Sequence, residues 1–286
     1  MLFERVSIVG LGLLGGSWGL ALKENGFSGT VQGCDRGQVL ERAVSLKVID
    51  DGSEDVKQAL RDADLVILAT PVTAILDLLP MLLPAISAHA LVTDVGSTKR
   101  LICERAMQLF HDTALFLGGH PMAGKERSGL EHAAASLFRN ARYALVPLKP
   151  DDASDARVKA FTALLTEMRA SPFITDATTH DRAVAFLSHL PQLVSTGLAS
   201  LIAEQSAQNF LPLEFAGPGF RDVTRLAESP YTIWRDICLT NGENIRSALA
   251  LFVQKLGEME THLNDGELER EFNQAFRLRE RLHSLT

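Results

Sequence analysis

Three groups of residues in this sequence have the types and spacing to do chemistry. The first is a glycine-rich run that follows the apolar stretch Val6–Val9 and precedes a helical pattern. Gly10 permits a tight turn, Gly12 lets the backbone approach a pyrophosphate, and Gly15 allows a helix to pack closely on the strand. The run therefore predicts a dinucleotide site, with phosphates at the helix N-terminus. The residues expected to contact the cofactor here are Gly10, Gly12, Leu13, Leu14 and Gly15.

The second group lies at the ends of later strand-like runs. Asp35 follows Gly12 by roughly 20 residues, where a carboxylate accepts hydrogen bonds from ribose hydroxyls and repels a 2′-phosphate. This position favours NAD over NADP, although Arg36 could pair with a phosphate or stack on adenine. Further cofactor contacts are expected at Thr70, Pro71 and Ser97, which begin helices at the same sheet edge. The hydroxyls of Thr70 and Ser97 could equally be helix caps.

The third group is the loop of residues 118–124, GGHPMAG, which follows the fifth strand-like run. A histidine flanked by glycines belongs to an irregular loop, and His120 should lie near Ser97 at the carboxyl edge of the sheet. With an ordinary pKa of about 6.5, it could accept a proton at neutral pH. The alternative is a capped turn with an incidental histidine. No set of His, Cys and carboxylate residues has metal-ligand spacing, so no metal is expected.

The elements that position these residues divide the chain in two. The strand-like runs in the first half are Val6–Val9, Val31–Cys34, Leu65–Ala69, Leu91–Asp94, Leu115–Leu117 and Tyr143–Val146. Apolar runs joined by helices predict an α/β fold, a doubly wound Rossmann-type parallel sheet, in residues 1–150. The second half reads as helices at Asp151–Arg169, Asp176–Gln205, Pro230–Asn264 and Gly266–Leu285. Residues 151–286 are therefore predicted to form an all-helical domain, with a kink at Pro191.

Composition excludes several classes of function. The chain has 286 residues and a net charge of −7 without a long basic run, so nucleic acid is not an expected partner. Three widely separated cysteines argue against a disulfide framework and fit the cytoplasm. No run of about 18 uncharged apolar residues is present, so no membrane span or membrane partner is expected.

Several segments resemble the prephenate/arogenate dehydrogenase family of tyrosine biosynthesis. They are IVGLGLLGGS, ILATPV, VTDVGSTK, GGHPMAGKERSG, THDRAVAFLSHLPQ and GFRDVTRLAESPYTIWRDI, and they run from Val6 to about Asp236. The resemblance implies an NAD-dependent enzyme that removes hydride from C4 of prephenate and releases CO2, giving 4-hydroxyphenylpyruvate and NADH. It also implies a homodimer that forms through the C-terminal helices. No segment resembles the mutase or regulatory domains of some relatives, and we expect a minimal two-domain enzyme.

The resemblance implies roles for individual residues. His120 matches the catalytic histidine, and Ser97 matches the serine that orients it. Arg225 matches the arginine that binds the ring carboxylate, and His189 matches a second histidine of the substrate pocket. The resemblance also implies substrate contacts for Glu126, near the pocket mouth, and for Trp234, near the substrate side chain. His180 also falls in a shared segment, but there we expect only helix capping.

Three alternatives remain open at this stage. The substrate could be arogenate, or both compounds, because the discrimination between a keto and an amino side chain depends on pocket charge. Lys125 and Arg127 suit the keto acid better. The second alternative is a β-hydroxyacid dehydrogenase, which would need a catalytic lysine, but no lysine of this sequence lies in a matching motif. The third is an NAD(H)-sensing regulator, which would need neither His120 nor Arg225.

Overall fold

The computed structural model describes residues 2–110, 113–124, 127–207 and 211–283. The chain forms two compact units, residues 1–242 and residues 243–286. The candidate site residues predicted from the sequence all belong to the first unit. The second unit consists of the last two helices.

A single sheet of eight strands organises the first unit. The strands are β1 (Arg5–Val9), β2 (Thr30–Cys34), β3 (Asp51–Gly52), β4 (Leu65–Leu68), β5 (Leu91–Asp94), β6 (Leu115–Pro121), β7 (Arg142–Pro147) and β8 (Ser171–Ile174). Their order is β3-β2-β1-β4-β5-β6-β7-β8, and only the β6–β7 pair is antiparallel. The predicted doubly wound sheet and its six strand-like runs are confirmed.

Helices connect most of these strands and form most of the described chain after β8. They are α1 (Leu13–Glu24), α2 (Gly37–Ser45), α3 (Val56–Ala59), α4 (Val72–Leu82), α5 (Arg100–Leu109), α6 (Ala156–Glu167), α7 (Ala177–Val184), α8 (Leu190–Ala207), α9 (Pro218–Thr224), α10 (Tyr231–Thr240), α11 (Gly242–Thr261) and α12 (Glu267–His283). The helical character predicted for the C-terminal part is confirmed.

Both faces of the sheet are covered, as the apolar strands require. Along β4, Leu65 and Ile67 belong to one buried core, whereas Val66 and Leu68 belong to the other. The first core centres on Trp18, whose ring stacks on Phe161 at a centroid distance of 5.6 Å. Because β1 lies between β2 and β4, the chain winds outward in both directions from the β1–β4 pair. The carboxyl ends of these two strands form the crevice in which open α/β sheets bind ligands.

The sheet continues past residue 150, where the sequence suggested a domain boundary. Helix α6 contributes Val158, Phe161 and Leu164 to the first core, and β8 pairs in parallel with β7. The strand escaped prediction because it has only four residues, one of them Pro172, which cannot donate to a ladder. The sheet-bearing part of the chain therefore extends to Ile174.

The long helix predicted at Asp176–Gln205 is continuous in the structure but changes its winding. A π-helical segment, Ala185–His189, joins α7 to α8 where we expected a kink at Pro191. Proline lacks the N–H that an α-helix would pair with the fourth residue before it, which favours such an irregularity. Residues 177–207 are long and apolar enough to span a membrane by length and composition. However, their first turns carry the buried polar residues His180, Asp181 and His189, which bond to other elements of the fold.

The prediction of one continuous helix at Pro230–Asn264 is wrong. The helix ends at Asn241, the C-cap of α10, and α11 begins at the next residue. The side chain of Asn241 donates a hydrogen bond of 2.8 Å to the backbone oxygen of Asp181, and this contact holds the residue outside helical geometry. In the second unit, Lys255 of α11 lies 3.4 Å from Glu271 of α12 and links the two helices.

Candidate active site

The glycine-rich turn joins β1 to α1 at the crevice of the sheet. Gly10 has a φ of +91°, a left-handed conformation that favours glycine. A Cβ at Gly15 would lie 1.8 Å from the carbonyl oxygen of Gly10, so only glycine fits there. A Cβ at Gly12 would meet no protein atom within 4 Å. The space beside Gly12 is therefore open to a ligand, and a pyrophosphate fits it, because no side chain caps the N-terminus of α1.

Asp35 holds this turn from the end of β2. One carboxylate oxygen accepts the N–H of Leu11 at 2.7 Å, and the other accepts the N–H of Arg36 at 2.7 Å. The side chain also lines a cavity of about 340 Å³ together with Gly10, Cys34, Arg36, Glu54 and Thr70. Glu54, which the sequence did not single out, accepts a hydrogen bond from the N–H of Gly37. Two carboxylates thus line the cavity in which a ribose would lie, and they disfavour a 2′-phosphate.

A neighbouring cavity of about 280 Å³ continues from the turn toward the centre of the sheet edge. Of the predicted cofactor residues, Leu13, Leu14, Thr70, Pro71 and Ser97 line it. The hydroxyl of Thr70 is buried and has no hydrogen-bond partner in the described part of the chain. Because an unpaired buried hydroxyl costs free energy, this atom suits a polar ligand that enters the cavity. The residues present therefore fit a dinucleotide.

A third and larger cavity, of about 750 Å³, shares Ser97 with the second one. It contains every residue that the resemblance assigned to catalysis or substrate, except Glu126, namely Ser97, His120, His189, Arg225 and Trp234. Glu126 and Lys125 lie outside the described residues. The structure therefore brings together side chains that are up to 137 positions apart in the sequence, and Ser97 lies where the two cavities meet.

His120 lies at the end of β6 and is the start of a chain of hydrogen bonds. Its Nδ1 is 2.8 Å from Nε2 of His180, and Nδ1 of His180 is 2.8 Å from Oδ1 of Asp181. The carboxylate of Asp181 also accepts the N–H of Lys99 at 2.7 Å and the N–H of Arg100 at 3.0 Å, at the start of α5. His120 is thus connected, through a second histidine, to a buried carboxylate.

The helix-capping role expected for His180 is wrong. Helix α7 is capped by Asp176, whose carboxylate accepts the N–H of Thr179 at 2.8 Å. The ring of His180 instead makes an edge-to-face contact with His120, with ring centroids 5.0 Å apart. Sequence reasoning missed the contact because 60 residues separate the two histidines. The available signal was the adjacent His-Asp pair on a helix that also carries His189.

The electrostatic surroundings keep His120 neutral. Burial lowers its pKa well below the ordinary 6.5, and the nearby His180, Lys99 and His189 lower it further. Lys99 is fully buried and paired with Asp94, at the end of β5. Asp94 also accepts the N–H groups of Gly96, at 2.8 Å, and Gly119, at 3.1 Å. This ion pair, which the sequence did not single out, fixes the backbone on both sides of the site.

His189 and Trp234 also line the large cavity. Their rings meet edge to face at 5.8 Å, and Trp234 Nε1 donates to the hydroxyl of Ser229 at 2.9 Å. Nδ1 of His189 lies 3.3 Å from the side-chain nitrogen of Asn241. Burial, the main cause, lowers the pKa of His189 to about 4, with a further lowering from His180 and an opposing effect of Asp181. His189 is therefore a neutral, hydrogen-bonding wall of the cavity.

Two arginines give the large cavity a positive character. Arg225 begins the 3₁₀ turn after α9, and Arg142 lies over the ring of Phe173 at 4.9 Å. Among the described residues that line this cavity, none is Asp or Glu. A further contact joins α10, which carries Trp234, to α4, because the carboxylate of Asp236 accepts a hydrogen bond of 2.6 Å from the hydroxyl of Thr73. The cavity is thus suited to an anionic molecule.

A glycine turn at the switch point of a doubly wound sheet, next to a cavity with a neutral histidine, is the arrangement of dinucleotide-dependent dehydrogenases. The family model for the nucleotide-binding domain of prephenate dehydrogenase matches residues 18–172, and the model for its dimerization domain matches residues 176–278. The chain belongs to the prephenate dehydrogenase family.

Individual relatives agree over most of the chain. Prephenate dehydrogenase of Bacillus subtilis is 35% identical over 94% of this chain and 72% of its own length. The crystal structure of prephenate dehydrogenase from A. aeolicus, in complex with hydroxyphenyl propionate and NAD+, has a TM-score of 0.88 at 28% identity and covers 99% of this chain and 98% of its own. Synechocystis arogenate dehydrogenase has a TM-score of 0.80 at 30% identity and covers 97% and 99%.

Proposed function

We propose that this protein is an NAD-dependent prephenate dehydrogenase, which converts prephenate into 4-hydroxyphenylpyruvate and CO2. The observation that carries the proposal is the meeting of the two cavities at Ser97, which lines the larger one together with His120. A nicotinamide in the smaller cavity would face a ring in the larger one. The crystal structure of the A. aeolicus relative contains hydroxyphenyl propionate and NAD+ together, which is consistent with a site for two ligands.

The choice of NAD over NADP rests on the adenosine end of the site. Asp35 and Glu54 place two carboxylates in one cavity, and both are already held by backbone N–H groups. A 2′-phosphate would have to lie beside both negative charges, and Arg36, which is exposed, could offset only one of them. A ribose hydroxyl, in contrast, can donate to either carboxylate. The NAD+ of the A. aeolicus complex is consistent with this reading.

The residues of this chain account for the proton that the reaction moves. His120, neutral because its pKa is low, accepts the proton of the 4-hydroxyl as the C4–H bond breaks. NAD, held at the glycine turn and Asp35, would supply the acceptor for the hydride that leaves C4. The bond between C1 and the carboxylate then breaks, its electrons complete the aromatic ring, and His120 returns the proton to the phenolate oxygen. Ser97, as a hydrogen-bond partner of the same hydroxyl, would orient the substrate toward His120.

The positive charges of the large cavity fit the two carboxylates of prephenate. Arg225 would bind the ring carboxylate, for which a guanidinium offers two parallel hydrogen bonds. Arg142 would face the carboxylate of the side chain, while His189 and Trp234 enclose the ring. The ammonium of arogenate would need a carboxylate partner, and the described lining residues supply none. This charge pattern favours prephenate, and arogenate is the second candidate because the Synechocystis relative is an arogenate dehydrogenase.

We further propose a homodimer that forms through the C-terminal helices, in the cytoplasm. Apolar side chains on α11 and α12 are exposed in the single chain, among them Leu251, Val253, Phe272 and Phe276. The family model that matches residues 176–278 describes a dimerization domain. The cysteines Cys34, Cys103 and Cys238 are free thiols, as is usual in a reducing compartment. Size-exclusion chromatography with light scattering should give twice the mass of one chain.

The activity is tested with both substrates and both cofactors. Purified protein is mixed with prephenate or arogenate and with NAD or NADP, and the reduced cofactor and the aromatic product are measured together. We expect NADH and 4-hydroxyphenylpyruvate in equal amounts, with the highest kcat/KM for prephenate and NAD. A higher kcat/KM for arogenate would instead establish the second candidate. Absence of reduced cofactor in all four mixtures would refute both.

A further inference from the structure

His120 is hydrogen-bonded in series to a second histidine and a carboxylate. His120 Nδ1 and His180 Nε2 are 2.8 Å apart, and His180 Nδ1 and Asp181 Oδ1 are 2.8 Å apart. His180 and Asp181 are both fully enclosed by the fold. The reaction as described so far requires neither of them.

The direction of each hydrogen bond follows from the chemistry of the groups. A carboxylate has no proton to donate, so Asp181, which also accepts two backbone N–H groups of α5, must accept from His180 as well. A His180 ring with a single proton therefore carries it on Nδ1, and its Nε2 is an acceptor. That nitrogen in turn requires a donor, which is the Nδ1–H of His120. The Nε2 of His120 is then the ring nitrogen with a free lone pair.

We propose that His180 and Asp181 are positioning residues that hold His120 in its Nδ1-protonated tautomer, with Nε2 ready to accept the substrate hydroxyl proton. The inference rests on the proposed function for the identity of that proton. In the opposite tautomer, Nε2 of His120 would already carry a proton and could not act as a base. The hydrogen bonds from His120 to His180 and from His180 to Asp181 thus select the reactive tautomer before substrate binds, as the carboxylate of a catalytic triad does for its histidine.

The same two residues would stabilise the charge that forms during the reaction. Once His120 has taken up the proton, its ring is a cation in a buried site close to the Lys99 side chain. The charge of Lys99 is paired with Asp94, so that pair offers the new cation no counterion. Asp181, reached through the polarisable ring of His180, supplies one. No proton has to leave His120, which can return it to the product oxygen.

A purely structural role is the competing explanation, because Asp181 also caps α5. Asp181→Asn keeps most of the hydrogen bonds and removes the charge. Oδ1 of Asp181 accepts both the ring N–H of His180 and the N–H of Lys99, so an amide oxygen at this position keeps both bonds and the tautomer of His120. The amide N–H₂ replaces Oδ2 and loses only the N–H of Arg100. Because the counterion of the protonated His120 is lost, we expect kcat to fall by about 10²- to 10⁴-fold, with KM and the Kd for NAD changed less than threefold.

Two variants of His180 and one control complete the series. In His180→Gln the side-chain oxygen can still accept the Nδ1–H of His120, so kcat should stay within tenfold of the wild type. His180→Leu offers no acceptor and should lose at least 100-fold. The matched control is Thr98→Val, which removes the buried 2.8 Å bond between the hydroxyls of Thr98 and Thr240 in the same region. It should leave kcat within twofold, because it does not touch His120.

The deciding measurement is the 15N spectrum of histidine ring nitrogens in the protein without substrate. The signals of His120 are assigned by their loss in His120→Asn. The wild type, His180→Gln and Asp181→Asn should show the proton on Nδ1, and His180→Leu should show it on Nε2. A wild-type His120 protonated on Nε2, a His180→Leu variant that keeps its kcat or its Nδ1–H, or an Asp181→Asn variant that keeps its kcat would overturn the proposal. The spectrum needs no turnover, so a protein without dehydrogenase activity would refute the proposed function and leave this test valid.

Discussion

His189 should make the protein sensitive to acid in a way that one substitution removes. The side chain is buried against Trp234 and Asn241, and its pKa is lowered from 6.5 to about 4, mainly by burial. In the unfolded chain the imidazole is in water and binds a proton near pH 6.5. Between these two values the unfolded state therefore binds more protons than the folded state. The free energy of unfolding must then decrease as the pH falls from about 6.5 to about 4, and the full stability is present only above pH 6.5.

The size of the effect follows from the same two values. Each tenfold change in proton affinity corresponds to about 1.4 kcal/mol, so the change from 6.5 to about 4 amounts to about 3 kcal/mol in total. About 2 kcal/mol of this is lost between pH 7.5 and pH 5.0. His120 acts in the same direction, because its pKa is also lowered, so the wild type alone does not isolate His189. The difference between the wild type and His189→Gln does.

Urea unfolding at pH 7.5 and pH 5.0, followed by tryptophan fluorescence without NAD and at fixed protein concentration, measures this difference. The wild type should lose about 2 kcal/mol more than His189→Gln over this interval. The control is His89→Gln, since His89 is exposed and its removal should not change the pH dependence. If the wild type and His189→Gln lost equal stability, His189 would titrate normally in the folded protein and the argument from burial would be refuted.

Three further predictions concern the proposed reaction. His120→Asn should bind substrate and lose turnover by about 10²- to 10⁴-fold, and unchanged turnover would contradict the role as base. Because burial lowers the pKa of His120, the acidic limb of the wild-type kcat/KM profile should lie below pH 6.5. Arg225→Ala and Arg142→Gln should chiefly raise KM for prephenate, and a fall in kcat alone would argue against carboxylate binding. Asp35→Asn keeps an acceptor for the turn but loses the charge, so kcat/KM with NADP relative to NAD should rise by about tenfold; an unchanged ratio would exclude Asp35 as the selector.

The sequence was sufficient for the parts of the site that depend on local rules. The turn at Gly10–Gly15, Asp35 at the end of β2 and Ser97 after β5 follow from strand, turn and helix patterns, because parallel strands deliver their carboxyl ends to one edge. Glu54 could not be found in this way, since it reaches the ribose cavity from the loop after β3, a strand of two residues.

The buried ion pair of Asp94 with Lys99 shows a second limit. Both residues lie within one segment that the sequence marked as functional, yet an exposed lysine after a helix cap is the ordinary expectation. Only the packing of the sheet edge explains why Lys99 is fully buried. Its ammonium group forms an ion pair with Asp94, and its backbone N–H donates a hydrogen bond to Asp181. Tertiary structure assigns this lysine to the site, because it determines which charges lie next to His120.

The helix that carries His180 and His189 shows why periodicity alone misplaces a site. Nine residues in an ideal α-helix of 3.6 residues per turn amount to two and a half turns, so the two histidines would point to opposite faces. In the structure both line the same cavity. The π-helical segment Ala185–His189 accounts for this, because its wider turns take up more residues and rotate His189 toward the face of His180. Pro191, which withholds the backbone donor that a regular helix would use, is the residue in the sequence that favours this winding. The irregularity is therefore what places the second histidine in the cavity.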